Sequence, residues 1–546
     1  MTTSQPTLEH TRNQHARQQA MAAVEGLPVA PSGSVTYTSR GRVLVIGGEE
    51  AYWLASRITP PLHAELLLTG GDQESGVPTT PLADRTIELS GHLGAFVVEL
   101  GEPGHHNHQR LQVDLVLDLS PAPLNAAELP PPGYWHVGTE PADIDAALVA
   151  VDGMLGTFEK PRYFAYDAAI CAHARSGRDG CRQCIDACPA EAIISIGEKV
   201  EVNPNLCQGG GICATVCPTG AMRYAYPAAV DTATRLRRML VTYTEAGGSN
   251  PIVMFAADVD AADIATTPSN VLLIAIEELA SVGHEIWLAA LAWGARAVIL
   301  VDGASIPPRA RSALTDQIMT AQALLEGMGY PGTALRLTAP DELDANWQTI
   351  DGLPEAARFA ATGDKRQLAA MALDHLWQHS HTPAAWFDMP ASSPYGRIAV
   401  DTQRCTLCMA CTSVCPAKAL SAGDEVPRLD FFEGNCVQCG ICANACPEEA
   451  ITLHPRYLAD PAQRRVAQKL HEDEPFCCIA CGKPFATRRV IDNILEKLAG
   501  HAMFQGERAR QRLRMCEDCR VVDAVQDADA MEAGLTLHDN HRNGNG

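Results

Sequence analysis

The stretch Cys405-Thr-Leu-Cys408-Met-Ala-Cys411-Thr-Ser-Val-Cys415-Pro416, answered by Cys436-Val-Gln-Cys439-Gly-Ile-Cys442-Ala-Asn-Ala-Cys446-Pro447, decides how this chain folds. Each half is a C-x2-C-x2-C-x3-C-P run, the spacing that holds a pair of four-iron, four-sulfur clusters. Two-residue gaps wrap three thiolates around one cube while the backbone N–H groups between them face its sulfides. In such pairs the fourth cysteine serves the other cluster. One cluster is therefore assigned to Cys405, Cys408, Cys411 and Cys446, and its neighbour to Cys436, Cys439, Cys442 and Cys415. Gly440 lets the chain pass close to the inorganic core, and Pro416 and Pro447 turn it away after the last ligand. Tetrahedral zinc would not need eight thiolates arranged in threes plus one.

The 20 cysteines of the 546 residues fall in three groups, Cys171 to Cys217, Cys405 to Cys446 and Cys477 to Cys519. Repeated C-x2-C spacing in a long chain without a signal peptide reads as metal ligation in a reducing compartment, here the cytoplasm. Even the most apolar stretch, Val271 to Val301, is interrupted by Glu277, Glu278, Glu285 and Arg296, so no membrane span is expected. The net charge of −23 argues against nucleic-acid binding and fits a solvated acidic surface.

Upstream lies a second, degenerate pair of runs. Counting back from Cys188 and Pro189, Cys184 and Cys181 stand at the expected offsets, but Arg178 occupies the first ligand position. Cys171 is the spare thiol nearby, and the polar loop Ala172 to Gly180 is long enough to bring it round. The other run keeps Cys207, Cys213, Cys217 and Pro218 but has Gly210 where its second thiolate should be. The crossed rule gives one cluster to Cys171, Cys181, Cys184 and Cys217 and leaves three thiolates, Cys188, Cys207 and Cys213, for the other. Three thiolates suit a 3Fe-4S cluster or a labile 4Fe-4S cluster with one iron held by water or a carboxylate such as Asp186. A hairpin, Ala192 to Ile196 against Lys199 to Val202 across Gly197-Glu198, marks this segment as an internal repeat of the whole module.

The cysteine-free stretches alternate strand and helix. Arg42 to Ile46 and Ala64 to Leu68 flank a helix from Glu49 to Ile58, with further strands at Ala95 to Leu100 and Leu111 to Leu119. Gly47-Gly48 is not followed by a G-x-G-x-x-G pattern, so no nucleotide site is assigned. His105, His106 and His108 fall in a polar connection. Between Ala228 and Ala360, a helix bearing Leu236, Met239, Leu240 and Tyr243 precedes buried strands at Pro251 to Phe255, Val271 to Ile276 and Ala297 to Val301. The helix from Arg309 turns Leu314, Ile318, Ala321 and Leu325 inward. Neither stretch offers a catalytic constellation.

Near the end, Cys478-Ile-Ala-Cys481 and Cys516-Glu-Asp-Cys519 make two knuckles around a helix, a closed four-thiolate site whose natural occupant is structural zinc. A fifth cluster or a redox dithiol is the alternative. Arg508, Arg510, Arg512 and Arg514 form a basic stretch, read as a solvated helix face or a dock for an acidic partner.

The fold expected is multidomain α/β and α+β. It runs as a disordered tail (1–36), an N-terminal α/β domain (37–160), a degenerate dicluster module (161–227) and a middle α/β domain (228–379). A linker (380–396), an intact dicluster module (397–456), a helical four-cysteine metal-binding domain (457–525) and a second disordered tail (526–546) follow.

The chain resembles bacterial four-cluster ferredoxin-like proteins that accompany molybdenum formate dehydrogenases. The likeness rests on Cys171-Ala-His-Ala-Arg leading into Gly180-Cys181-Arg-Gln-Cys184, on Cys207-Gln-Gly-Gly-Gly-Ile-Cys213 and on Met515-Cys516-Glu-Asp-Cys519-Arg520-Val521, and it covers most of the chain. It implies that the loop from Cys171 replaces the missing first ligand, and that a formate dehydrogenase is the redox partner. Gly210 departs from the family's cysteine. The middle domain is similar, over Gly283 to Val301, to the delta subunit of methyl-viologen-reducing hydrogenase, whose cysteines are absent here. The function expected is a cytoplasmic electron relay; the alternative is an assembly factor for a molybdoenzyme, its clusters structural or sensory.

Overall fold

The computed structural model describes residues 8–30, 32–70, 76–257, 267–302, 306–342, 349–350, 355–423 and 426–527. Contacts divide the chain into two units: 1–173 with 182–385 and 389–393, and 174–181 with 386–388 and 394–546.

In the first unit, the run Val43 to Ile46 is apolar on both faces and forms the centre of a five-stranded parallel sheet. Its order is Thr79–Pro81, His63–Leu68, Arg42–Gly47, Leu115–Asp118, Tyr134–His136. The helix Glu49–Arg57 crosses over as expected. A Cβ on Gly47 would stand 3.0 Å from that of Ala51 and 3.1 Å from that of Leu119, so this glycine permits close helix–strand packing. The strand expected from Leu111 to Leu119 is two strands, Gln109–Val113 and Leu115–Asp118, in different sheets. Asp114 divides them: its buried carboxylate accepts from the N–H groups of Arg40 and Arg42, each at 3.0 Å, while its own N–H donates to Arg42 O at 2.9 Å. His105 and His106 are exposed in the connecting loop, and His105 faces Glu102 at 3.2 Å.

The segment expected to be an unstructured tail carries the helix Leu8–Ala22. Only small residues, Ala16 and Ala20, and the polar Asn13 turn inward, which is why apolar periodicity does not reveal it. Asn13 accepts from Ser249 N–H at 2.9 Å, and Arg17 donates to Thr267 and Pro268. The second expected tail falls almost wholly outside the described residues.

The middle domain is a four-stranded parallel sheet in the order Val271–Ala275, Ile252–Ala256, Ala297–Val301, Leu335–Thr338. The helix Ala229–Glu245 ends where Gly247 takes φ +84°, and Pro308–Gly327 buries Leu314, Ile318, Ala321 and Leu325. All nine residues of His284–Ala292 are buried. His284 bonds Gln317 at 2.9 Å, and burial lowers its pKa from 6.5 to about 4. The fold therefore holds the imidazole neutral while the unfolded chain takes up a proton below pH 6.5, so stability falls as pH drops from 6.5 towards 4. Between pH 6.5 and 5 this group should cost about 2 kcal/mol. Urea unfolding followed by the buried Trp287 and Trp293 should show that the His284→Gln variant loses correspondingly less over the same interval. Equal losses would mean that His284 is not the titrating group.

In the second unit, the stretch expected to be a linker contributes the strand Trp386–Asp388, paired antiparallel with Ile451–Leu458; Phe387 packs on Tyr457 and Arg456 lies over Trp386. Gly396–Val400 pairs with the same strand. Leu420–Ala422, Arg428–Phe431 and Gln468–Glu472 form a second antiparallel sheet, so the cysteine-rich module extends beyond residue 456. The remainder is the hairpin Pro475–Cys477 with Pro484–Thr487 and the helices Arg488–Leu498, Glu507–Arg512 and Glu517–Val525. Among the described residues no helix is long and apolar enough to cross a membrane.

Candidate metal centres

The thiols of the intact module gather around two cavities. Cys405, Cys408, Cys411 and Cys446 line one cavity, and Cys415, Cys436, Cys439 and Cys442 line another. Burial pushes Cys411 up to about 12 and Cys439 up to about 11, and the other thiols of each set add to the shift. Thiols crowded in this way ionise together only when cationic metal takes their charge.

The loops that carry these thiols share a backbone pattern. Two residues after the first cysteine of each run the chain turns left-handed, at Leu407 (φ 55°) and Gln438 (φ 53°), and again two residues later, at Met409 (60°) and Gly440 (81°). Three residues after each fourth cysteine it does so once more, at Lys418 (51°) and Glu449 (47°). The N–H groups that follow point back at sulfur: Ala419 donates to Cys415 Sγ at 3.2 Å and Ala450 to Cys446 Sγ at 3.3 Å. Such bonds favour the thiolate and tune the cluster it holds.

The run of the degenerate module that lacks its thiol at Gly210 keeps this whole pattern, whereas the run with Arg178 in the first ligand position does not: Arg182 has φ −121°. Gly209 (89°) and Gly211 (71°) repeat the left-handed pair, and Glu191 (48°) and Gly220 (74°) repeat the turn after the fourth cysteine. Met222 N–H donates to Cys217 Sγ at 3.3 Å. Gly209 and Gly211 are also constrained by neighbours: a Cβ would meet the Tyr163 ring at 3.0 Å and Ser281 Cα at 2.5 Å, respectively. Gly210 differs from both, because nothing lies within 4 Å of its Cβ position and its φ is not positive. The ligand loop is intact and lacks only the thiol.

Cys188, Cys207 and Cys213 lie in one apolar core. Burial raises all three, and Cys213 is raised further by Cys207 and Cys188. Lys160 donates to the carbonyls of Asn205 (3.1 Å) and Cys207 (2.6 Å), which puts a cation beside this set. Its separation of 47 positions from Cys207 hides Lys160 from any motif. Asp186, a candidate fourth ligand, is 62% exposed and pairs with Arg182 at 3.5 Å, so it turns to solvent. Cys171, Cys184 and Cys217 lie in the same apolar core as these thiols. Cys181 closes the segment 174–181, which belongs to the other unit. That segment is not an extended loop but a tight hairpin, Ala174–Arg175 against Arg178–Asp179, turned by Ser176 (52°) and Gly177 (69°); Asn444 Nδ2 donates to its Asp179 carbonyl at 2.9 Å.

The four C-terminal thiols have a different geometry. The Sγ atoms of Cys478, Cys481, Cys516 and Cys519 lie within 4.8 Å of one another, with Cys481 and Cys516 at 3.7 Å. Metal–sulfur bonds of about 2.3 Å in a tetrahedron place sulfurs about 3.8 Å apart. This set therefore fits a single ion. Burial pushes Cys478 up, but N–H groups of Cys516, Cys481 and Ala480 outweigh it and hold the thiol down at about 6. Gly482 (77°) makes the turn past the site, and Ile479 N–H donates to Arg514 O at 3.2 Å, joining the knuckles. Cys477 is exposed and apart. Arg508 and Arg512 are ion-paired with Asp523 and Asp527, so the arginine stretch bolts two helices together. The lobe also grips a cluster loop: Thr487 Oγ1 donates to Thr406 O at 3.3 Å, and Arg489 donates to the carbonyls of Thr402, Gln403 and Cys405.

Two stretches of the chain, residues 404–451 and 177–221, match family models of a 4Fe-4S dicluster domain. An uncharacterized ferredoxin of Methanocaldococcus jannaschii is 38% identical over 58 residues, 10% of this chain and 86% of that relative.

Proposed function

The chain belongs to the ferredoxin family, and from that premise we propose that it relays single electrons between protein partners, one of them a formate dehydrogenase. The observation that carries this reading is the division of the eight cysteines into two four-thiol cavities that share crossed ligands. Each cluster, when bound, takes up and gives up one electron at a time. The protein supplies the rest: thiols held in fixed loops, N–H groups aimed at Cys415, Cys446 and Cys217, and apolar packing by Ile398, Leu420 and Phe431 around the cavity of Cys415, Cys436, Cys439 and Cys442. The C-terminal thiols hold zinc in this reading, and Cys188, Cys207 and Cys213 hold a three-iron or labile four-iron cluster. The formate dehydrogenase rests on the resemblance carried by the segments around Cys171, Cys207 and Cys516.

Anaerobically reconstituted protein should bleach with dithionite and recover with an electron acceptor, and should be reduced by formate when a formate dehydrogenase is supplied. Protein that dithionite cannot reduce would end the relay reading; reduction by dithionite but not by the dehydrogenase would end only the choice of partner. The empty ligand position at Gly210 and the added lobe favour a second reading, an assembly factor for a molybdoenzyme. That factor would bind the apo-enzyme, whereas a relay would bind the mature one.

A further inference from the structure

The two runs of the intact module place different side chains beside their thiols. Two residues after the first cysteine of each run the backbone takes the same left-handed turn, at Leu407 (φ 55°) and at Gln438 (φ 53°). Leu407 is buried and brings no hydrogen-bonding group to its loop. Gln438 is half-buried against the cavity of Cys415, Cys436, Cys439 and Cys442, and its amide nitrogen has two hydrogens to give. Nε2 donates to Cys436 Sγ at 3.3 Å and to the carbonyl of Arg397 at 3.3 Å. The strand Gly396–Val400 thus steadies the amide while it faces the sulfur. A glycine makes room for it: a Cβ on Gly396 would stand 2.5 Å from Gln438 Cδ and 2.7 Å from its Nε2, and 2.6 Å from the carbonyl of His454. A side chain at 396 would take the place of the amide.

The sulfurs around an iron–sulfur cluster carry more negative charge in its reduced state than in its oxidised one. An N–H donated to such a sulfur therefore stabilises the reduced state more and raises the reduction potential. The N–H groups of Ala419 and Ala450 act on Cys415 and Cys446, one for each cluster of the module, and so do not set the two apart. The amide of Gln438 does, because Leu407 has nothing to donate at the matching position. We infer that Gln438 raises the reduction potential of the cluster held by Cys415, Cys436, Cys439 and Cys442 through its bond to Cys436, and leaves that of the neighbouring cluster as it is. The inference rests on the reading of these cavities as one-electron cluster sites, and it names the side chain that tunes one of them.

The test is a redox titration of the anaerobically reconstituted full chain, followed by electron paramagnetic resonance. Cys439→Ser, which exchanges one ligand, marks the reduction step that belongs to this cluster. Gln438→Leu copies the side chain that the other run carries at the same backbone angle, so the loop should form and iron content should hold. It should make reduction of this cluster about tenfold less favourable, a potential about 59 mV lower for one electron, while the neighbour's step stays in place. Gln438→Glu keeps the shape of the side chain, removes the donor and adds a negative charge beside the sulfur, so the step should fall further. A step that stays in place in both variants, with iron retained, overturns the inference. An equal fall at both clusters overturns it too, because the whole module has then changed. So does loss of iron in both variants, which would make Gln438 a brace of the loop and nothing more. Failure of the relay reading shows elsewhere, in wild-type protein that dithionite cannot reduce, and takes this inference with it.

Discussion

Gly210→Cys should convert the three-thiolate site into a four-thiolate one. The isotropic resonance of an oxidised three-iron cluster should vanish, and iron should rise by about one per chain. Three features support this outcome. The loop already has the left-handed residues at 209 and 211 that flank Cys408 and Cys439 in the intact module. A Cβ at Gly210 meets nothing within 4 Å, so the new side chain enters without displacing a neighbour. Cys188, Cys207 and Cys213 are already gathered, which makes the fourth ligand an addition to a formed site. Gly209→Cys is the control. There φ is +89° and the Tyr163 ring stands 3.0 Å from the Cβ position, so this variant should lose on the order of 1–3 kcal/mol and gain no iron. Electron paramagnetic resonance of the oxidised and dithionite-reduced proteins, with iron analysis, decides the matter. A three-iron signal that survives Gly210→Cys, or iron that falls, would mean that the position does not face the cluster.

How much of this was legible in the sequence depended on the range of the determinant. Ligand spacing is local, so the crossed sets of the intact module and the hairpin Ile193–Ile196 with Lys199–Val202 could be read directly. Buried parallel strands are local too, and Ile252–Ala256 and Ala297–Val301 appear where their apolar runs stand. The helix Leu8–Ala22 was not legible, because it docks through alanines and an asparagine whose partner, Ser249, lies 236 residues away. Trp386–Asp388 read as linker because three residues beside prolines carry no period; the partner strand 451–458 makes them a strand. At the degenerate module the missing thiols were evident, but not the survival of the loop around Gly210, which exists only as backbone angles. Asp186 looked like a ligand from its proximity in sequence, and Arg182, one helical turn away, takes it instead.

Stripping the C-terminal ion should unfold the lobe from Pro475 to Asp527. Helices of nine to eleven residues are marginal alone, and the lobe buries little: Ile491, Leu513, Cys478 and Cys516 are its buried apolar groups. The two knuckles are joined through one backbone bond, Ile479 to Arg514, and by the arginine–aspartate pairs, which are partly exposed and individually weak. Metal binding at such a site contributes on the order of 10 kcal/mol, more than the remaining contacts supply. Metal analysis should return about one zinc per chain. A chelator or Cys516→Ser should then abolish much of the helical signal of 488–525 and open the lobe to protease. The consequence should reach the clusters. Thr487 and Arg489 hold the carbonyls of the loop from Thr402 to Thr406, so a melted lobe frees the loop that presents Cys405. The cluster of Cys405, Cys408, Cys411 and Cys446 should lose iron to a chelator faster than its neighbour does, and Arg489→Ala should reproduce that lability with the zinc still in place. A lobe that resists protease after the metal is gone would refute the structural role. Iron-type absorption in place of zinc would refute the identity of the ion while leaving the link to Cys405 to be judged by Arg489→Ala alone.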